Sequence, residues 1–282
     1  MSEMIAVIGA GQMGNGIAHV CAQAGLAVTM IDVSEGALAK GKSTIEKNLE
    51  RQIKKGTLDA MARDAILARL RTNTDLGAVA DATVAIEAAT ENVALKFKIF
   101  ADLDRLAPAG TILATNTSSI SITEIAAQTK RPDQVIGMHF MNPVPVMQLV
   151  KIIRGLATSD ATTARVVELS KAVGKTPVEV NDYPGFVANR ILMPMINEAV
   201  FCVMEGVGTP EAVDTVMKLG MNHPMGPLAL ADLIGLDTCV AILDVLHTGL
   251  GDPKYRACPL LRKYVAAGWL GRKSGRGFYT YA

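Results

Sequence analysis

The sequence has few of the features that mark a membrane, secreted or zinc-binding protein. It contains four cysteines, and no two of them form a CxxC pair. This pattern argues against a disulfide scaffold or a cysteine zinc site and predicts reduced thiols and no bound metal. The longest uncharged runs, such as 111–123, are too short and too polar for a membrane span of about 20 apolar residues. The N-terminal residues also lack the basic and apolar regions of a signal peptide, so we expect a cytoplasmic protein with no membrane partner.

An excess of charge of either sign is also absent. The chain has 28 basic and 27 acidic residues and a formal net charge of +1. Such a balance gives no reason to expect nucleic acid as a partner. Of the 282 residues, 50% are hydrophobic and 20% are charged. The chain can therefore bury a large core, and its length predicts one large or two ordinary domains.

Short apolar runs alternate with helix-like segments in the first half of the chain. The strand-like runs are 5–11, 27–32, 83–89, 111–116 and 134–140. Alternation of this kind predicts an α/β, Rossmann-type doubly wound parallel sheet with helices on both faces.

The pattern changes near residue 183, where Pro184 and Gly185 follow the last polar run of the first part. Beyond them the apolar spacing is helical, and Thr209 and Gly220 have the residue types of a helix start and stop. We predict a Rossmann-type domain over 1–183, with a helical arm at about 34–70, and an all-helical domain over 184–282.

A glycine-rich motif follows the first predicted strand. Gly9, Gly11 and Gly14 match GxGxxG, and they lie between a strand and a helix as a dinucleotide site requires. The glycines permit a tight turn, close approach of a pyrophosphate, and packing of the helix on the strand. The residues of this turn that we predict to contact the cofactor are Gly9, Gly11, Gln12, Met13 and Gly14. A glycine-rich turn without a ligand is the alternative.

An acidic residue, Asp32, ends the second predicted strand. A carboxylate there accepts hydrogen bonds from ribose hydroxyls and repels a 2′-phosphate, and no arginine follows closely. The sequence therefore predicts NAD rather than NADP as the cofactor. The alternative for Asp32 is a turn residue.

At the level of whole segments, the chain resembles the short-chain (S)-3-hydroxyacyl-CoA dehydrogenase family, and within it the bacterial 3-hydroxybutyryl-CoA dehydrogenases. The segments that carry this resemblance are VIGAGQMGNGIA (7–18), EAATEN (87–92), TNTSSISITEIA (115–126), GMHFMNPVPVMQLV (137–150), PGFVANRILMPMINEA (184–199), MKLGMNHPMGPLALAD (217–232) and GWLGRKSGRGFY (268–279). The resemblance implies an NAD-dependent enzyme that interconverts (S)-3-hydroxybutyryl-CoA and acetoacetyl-CoA, and a homodimer formed through the C-terminal helices.

The resemblance also assigns catalytic and substrate-binding residues. The family's catalytic base falls on His139, and a histidine suits this role because its ordinary pKa lies near neutral pH. Its polar substrate-binding residues fall on Ser118 and Asn189, which would place the active site between the two domains. Without the resemblance, His139 would be interpreted as a hydrogen-bonded core residue. Ser118 would be interpreted as a turn residue and Asn189 as a surface amide.

Further contacts follow from the same resemblance. Those implied for the cofactor fall on Glu91, Lys96, Asn116 and Asn142. Those implied for CoA fall on Asn48, at the position of a family serine, and on Lys55. Both lie in the segment 40–55 of the arm, where six basic residues stand against two acidic ones and could attract the phosphates of CoA. Each assignment has an alternative. Glu91 could be an acid that stabilises a helix start, and Asn142 could be a turn residue. The arm could be an ordinary solvated basic helix face.

One position departs from the family pattern. Lys151 stands where the family has a glutamate that accepts a hydrogen bond from the catalytic imidazole. An ammonium group can only donate, and its charge lowers the pKa of a nearby histidine. Three interpretations stay open: an inactivating change, support of His139 by another acid or by water, or a chain that binds its ligands without turnover.

Two other functions compete with the dehydrogenase. A dehydrogenase of a free small hydroxy acid would use the same fold without the CoA contacts. A non-catalytic NAD- or acyl-CoA-binding protein would explain Lys151.

Overall fold

The computed structural model describes residues 3–281. The chain divides into two compact units, the first ending at Asp182 and the second beginning at Tyr183. The domain ranges 1–183 and 184–282, with their separate roles, stay a prediction, and their outermost residues 1, 2 and 282 lie outside the described residues.

One eight-stranded sheet forms the first unit. The strands are β1 Met4–Ile8, β2 Ala27–Ile31, β3 Leu70–Asn73, β4 Val84–Glu87, β5 Ile112–Thr115, β6 Val135–Phe140, β7 Leu149–Arg154 and β8 Thr176–Asn181. Their spatial order is β3-β2-β1-β4-β5-β6-β7-β8. Every neighbouring pair is parallel except β6 and β7. The predicted doubly wound α/β sheet is confirmed.

The helices of this unit begin, except for the first, where a polar side chain accepts a hydrogen bond from a free backbone N–H group. They are α1 Gln12–Gln23, α2 Glu35–Lys54, α3 Ala60–Ala68, α4 Val93–Leu106, α5 Ile122–Ala126 and α6 Asp160–Ala172. Ser34, Asp59 and Asn92 each cap a helix by accepting the N–H three residues later. Two of these helices, α2 and α3, lie within residues 34–70, for which a helical arm was predicted. They are separated near Gly56, whose φ of +72° favours glycine.

The core of the first unit lies between the central strands and α1, α2 and α6. Ile5, Val7, Met30 and Ile86 are fully buried on these strands, which explains their continuous apolar sequence. Each such side chain contributes roughly 1.5–3 kcal/mol to folding.

All pairs among the predicted strands are parallel, and the one antiparallel pair of the described sheet joins β6 to β7, which was not among the predicted strands. Only residues 141–148 connect these strands, whereas a parallel crossover needs a dozen or more. The strand β3 was not predicted, because three of its four residues are exposed and it lacks an apolar run.

The second unit is helical and packs around its own core. Its helices are α7 Ala188–Met204, α8 Pro210–Thr215, α9 Pro227–Ile234, α10 Leu236–Leu250 and α11 Pro259–Ala266. Thr209 caps α8 as predicted, since its side chain accepts the Ala212 N–H. Between residues 3 and 281, no helix is long and apolar enough to cross a membrane.

A buried carboxylate holds the C-terminal segment of this unit. Asp232 accepts hydrogen bonds from the N–H groups of Phe278 and Tyr279, each at 3.0 Å, and from the Tyr281 hydroxyl at 2.9 Å. These bonds fix a turn-rich segment in which Thr280 forms an isolated bridge with Arg276.

We expect the stability of the first unit to fall in mild acid because of His19. This side chain is fully buried on α1, and burial lowers its pKa from 6.5 to about 4. The unfolded state therefore binds a proton before the folded state does. The stability that the neutral, buried His19 contributes is fully present above pH 6.5. It is lost as the pH falls from there through 4.

For His19→Gln, the loss of unfolding free energy between pH 7 and pH 4.5 should be smaller than in the native protein by about 2 kcal/mol. Urea unfolding at the two pH values measures this difference. The exposed His247 supplies the control His247→Gln, which should lose as much stability as the native protein. Equal losses for His19→Gln would contradict the role of His19.

Candidate active site

A cavity of about 270 Å³ lies at the carboxyl ends of β4, β5 and β6. Ligands gather at this edge in open α/β sheets, because the loops that leave the strands there can converge on one point. The cavity is lined by Met13, Ala88, Ala89, Glu91, Asn116, Ser118, His139, Phe140, Met141 and Asn142. Six of the residues singled out in the sequence, which lie far apart in the chain, thus meet here: Met13, Glu91, Asn116, Ser118, His139 and Asn142.

The glycine turn lies between β1 and α1. Gly9 has a φ of +104°, and a Cβ there would lie 2.7 Å from the Ala88 carbonyl oxygen. A Cβ on Gly14 would lie 1.8 Å from the Gly9 oxygen, whereas a Cβ on Gly11 would meet nothing within 4 Å. The space before Gly11, and an α1 terminus without a side-chain cap, suit a pyrophosphate.

Asp32 follows β2 directly and faces the same turn. Its Oδ2 accepts the Ala10 N–H at 2.8 Å, and its Oδ1 accepts the Ser34 N–H at 3.0 Å. Gln12 extends the turn towards the cavity, because its Nε2 donates to Asn142 Oδ1 at 3.0 Å. The residues present therefore fit a dinucleotide.

His139 lies on β6 directly opposite Lys151 on β7. Side chains of directly opposed residues lie on the same face of a sheet. Within residues 3–281, the buried Nδ1 of His139 has no hydrogen-bond partner. Burial lowers the pKa of His139 to about 4, and the Lys151 charge acts in the same direction. The Glu91 charge acts in the opposite direction. Burial also lowers the pKa of Lys151.

Glu91 precedes α4 and organises the segment after β5. Its Oε1 accepts the Thr117 hydroxyl at 2.6 Å and the N–H groups of Ser118 and Ser119 at 2.9 and 3.2 Å. Partial burial raises the pKa of Glu91, but the Thr117 hydrogen bond and the Lys96 charge outweigh it, so the pKa lies below its ordinary value.

Lys96 lies behind Glu91. Its ammonium is 2.6 Å from Glu87 Oε1 and 3.4 Å from Glu91 Oε2, and its side chain is 1% exposed. Such a buried cation requires its carboxylate partners. Its assignment as a cofactor contact stays a prediction.

Two predicted substrate contacts of the first unit, Asn48 and Lys55, do not line the cavity. Asn48 lies on α2, where its Oδ1 accepts the Arg51 guanidinium at 3.1 Å, and Lys55 is exposed at the end of that helix. Asn189 lies in the first turn of α7 in the second unit. Their roles towards the substrate stay predictions.

Comparison with known proteins covers the whole chain. Residues 4–183 match the model of the 3-hydroxyacyl-CoA dehydrogenase NAD binding domain, and residues 185–281 match the C-terminal domain of the same family. The chain belongs to the 3-hydroxyacyl-CoA dehydrogenase family. No group of three metal-binding side chains occurs in the described part of it.

Several members of the family are similar over nearly their full length. A probable 3-hydroxybutyryl-CoA dehydrogenase of Bacillus subtilis is 60% identical, with 99% of this chain and 97% of that protein covered. The crystal structure of an (S)-3-hydroxybutyryl-CoA dehydrogenase from Ralstonia eutropha is 54% identical, with all of both chains covered and a TM-score of 0.96. The human mitochondrial hydroxyacyl-coenzyme A dehydrogenase is 42% identical, with 98% and 90% covered.

Sequence reasoning missed two residues that support this 3-hydroxyacyl-CoA dehydrogenase site. Glu87 is buried at the end of β4 and binds Lys96 and the Thr115 hydroxyl. An acid inside an apolar strand was its signal, because a buried charge needs a partner. Lys175 is also buried and donates to the carbonyl oxygens of Val144 and Met147, which fixes the loop after His139. Its sequence context carried no such signal.

Proposed function

We propose that the chain is an NAD-dependent dehydrogenase that interconverts (S)-3-hydroxybutyryl-CoA and acetoacetyl-CoA. The observation that carries the proposal is the position of His139 in the cavity at the carboxyl ends of the strands, in a chain of this family. Its similarity to 3-hydroxybutyryl-CoA dehydrogenases favours this function over the two alternatives. Bound NAD supplies the acceptor or donor of the hydride exchanged with C3 of the acyl group.

His139 moves the proton in this proposal. Its Nδ1 is buried, which leaves Nε2 as the nitrogen for the cavity. In oxidation, Nε2 takes the proton of the 3-hydroxyl. In reduction, it returns a proton to the oxygen of the carbonyl. Ser118 lies at the same cavity and hydrogen-bonds the substrate oxygen in this proposal, and Asn189 is the predicted second contact.

The remaining assignments concern partners. The substrate is an acyl-CoA, and we propose that Asn48 and Lys55 bind its CoA part. We also propose a homodimer formed through the C-terminal helices, located in the cytoplasm, where reducing conditions would keep the four free thiols unoxidised.

We expect the protein to oxidise NADH when acetoacetyl-CoA is added and to use NADPH far more slowly, because Asp32 repels a 2′-phosphate. Absorbance of NADH follows the reaction. Free acetoacetate serves as the matched substrate without CoA and should react at least about tenfold more slowly, since it lacks the CoA contacts. Equal rates would support the free hydroxy acid alternative.

If neither the native protein nor Lys151→Glu turns over acetoacetyl-CoA while both still bind NADH, the result would support the non-catalytic alternative. Calorimetric titration of NADH measures that binding separately from turnover.

A further inference from the structure

Among the described residues that line the cavity, Glu91 is the one with an acidic side chain. His139 is thus flanked by charges of opposite sign from two different elements. Lys151 faces it from β7, and Glu91 faces the cavity from the loop before α4. The Glu91 charge opposes the effect of Lys151 on His139.

The position of Glu91 is well defined by its contacts. Five donors of the segment after β5, from Thr117, Ser118 and Ser119, fix its Oε1. On the other side, Oε2 lies 3.4 Å from the Lys96 ammonium, which Glu87 holds in turn. A carboxylate with these partners keeps its negative charge and is preorganised before a substrate arrives.

A proton on His139 needs a nearby negative charge, because burial and Lys151 both disfavour the imidazolium. We infer that Glu91 supplies this charge in the present chain, in the place of a carboxylate at position 151. The inference rests on the proposed function and adds a positioning and electrostatic role for Glu91 to the predicted cofactor contact. A substrate that displaces water from the cavity would strengthen the interaction, since excluding water lowers the local dielectric constant.

The direct test is Glu91→Gln, which keeps the size of the side chain and an Oε1 acceptor for Thr117, Ser118 and Ser119. The ring of His139, labelled with ¹³C and assigned with His139→Asn, can be titrated by NMR without any turnover. We expect its titration to move to lower pH by about one unit and acetoacetyl-CoA reduction at fixed pH to fall about tenfold. The exposed Glu168 gives the matched control Glu168→Gln, which should change neither.

A second background separates charge from mere structural support. In Lys151→Glu, a carboxylate stands beside the imidazole, so adding Glu91→Gln should cost less than about twofold in reduction rate. A loss of the same size in both backgrounds, or an unmoved His139 titration, would show that Glu91 only holds the 117–119 segment. A failure of the proposed function would appear separately, as absence of turnover in every variant with the NMR shift intact.

Discussion

Lys151→Glu should raise kcat for the reduction of acetoacetyl-CoA by roughly 10²- to 10⁴-fold and leave NAD affinity nearly unchanged. The reason lies in the register of β6 and β7, which sets position 151 directly across from His139. A glutamate there would face the imidazole on the same side of the sheet, where it could accept a hydrogen bond from Nδ1, fix the tautomer and stabilise the imidazolium. Initial rates with NADH, together with titration of NADH binding, measure both parts.

Two variants control this result. Lys151→Gln removes the positive charge without adding a negative one and should give an intermediate rate, which separates relief of repulsion from the gain of an acceptor. Lys130→Glu makes the same charge change at an exposed position of the first unit and should leave the rate unchanged. Equal turnover of the native protein and Lys151→Glu would refute our account of position 151.

The pH dependence should move in a known direction. With a pKa of about 4, about one His139 in a thousand carries a proton at pH 7. Reduction needs this proton, so the native rate should rise up to about tenfold for each pH unit between 7 and 5. A carboxylate at 151 raises the pKa of His139, so Lys151→Glu should keep its rate up to higher pH. A native reduction rate that stays flat from pH 7 to 5 would contradict the low pKa.

Local spacing is what made the glycine turn and the helix starts predictable from the sequence. Gly9, Gly11 and Gly14 need only their neighbours in the chain to form the turn, and Thr209 caps a helix that begins beside it. A prediction of this kind succeeds because the forces involved act over a few residues.

Features that depend on distant residues were harder to predict. The buried pair of Glu87 and Lys96 joins the end of a strand to a helix, and the reversal at β7 follows from the loop that precedes it. The cavity unites Met13, which the glycine motif had indicated, with residues up to Asn142 that only the family resemblance had connected. The family resemblance had placed Lys151 beside His139, but the strand register that sets the two residues opposite each other was not specified by the sequence.

His139→Asn should lower kcat by roughly 10²- to 10⁴-fold, because asparagine keeps a polar side chain but cannot exchange a proton near neutral pH. The stronger form of the prediction uses two backgrounds. If position 151 acts through the imidazole, the double variant His139→Asn with Lys151→Glu should be no faster than His139→Asn alone. Binding of NADH, measured by titration, should remain within about threefold of the native value in both, since the glycine turn is untouched.

This comparison also covers the case in which the native protein turns over slowly. The rate gained through Lys151→Glu then supplies the signal, and its removal by His139→Asn identifies the imidazole as the proton carrier. A double variant that keeps the full gain would mean that a glutamate at 151 acts on the substrate directly. In that case His139 would return to the simpler interpretation of a buried histidine at the edge of the sheet.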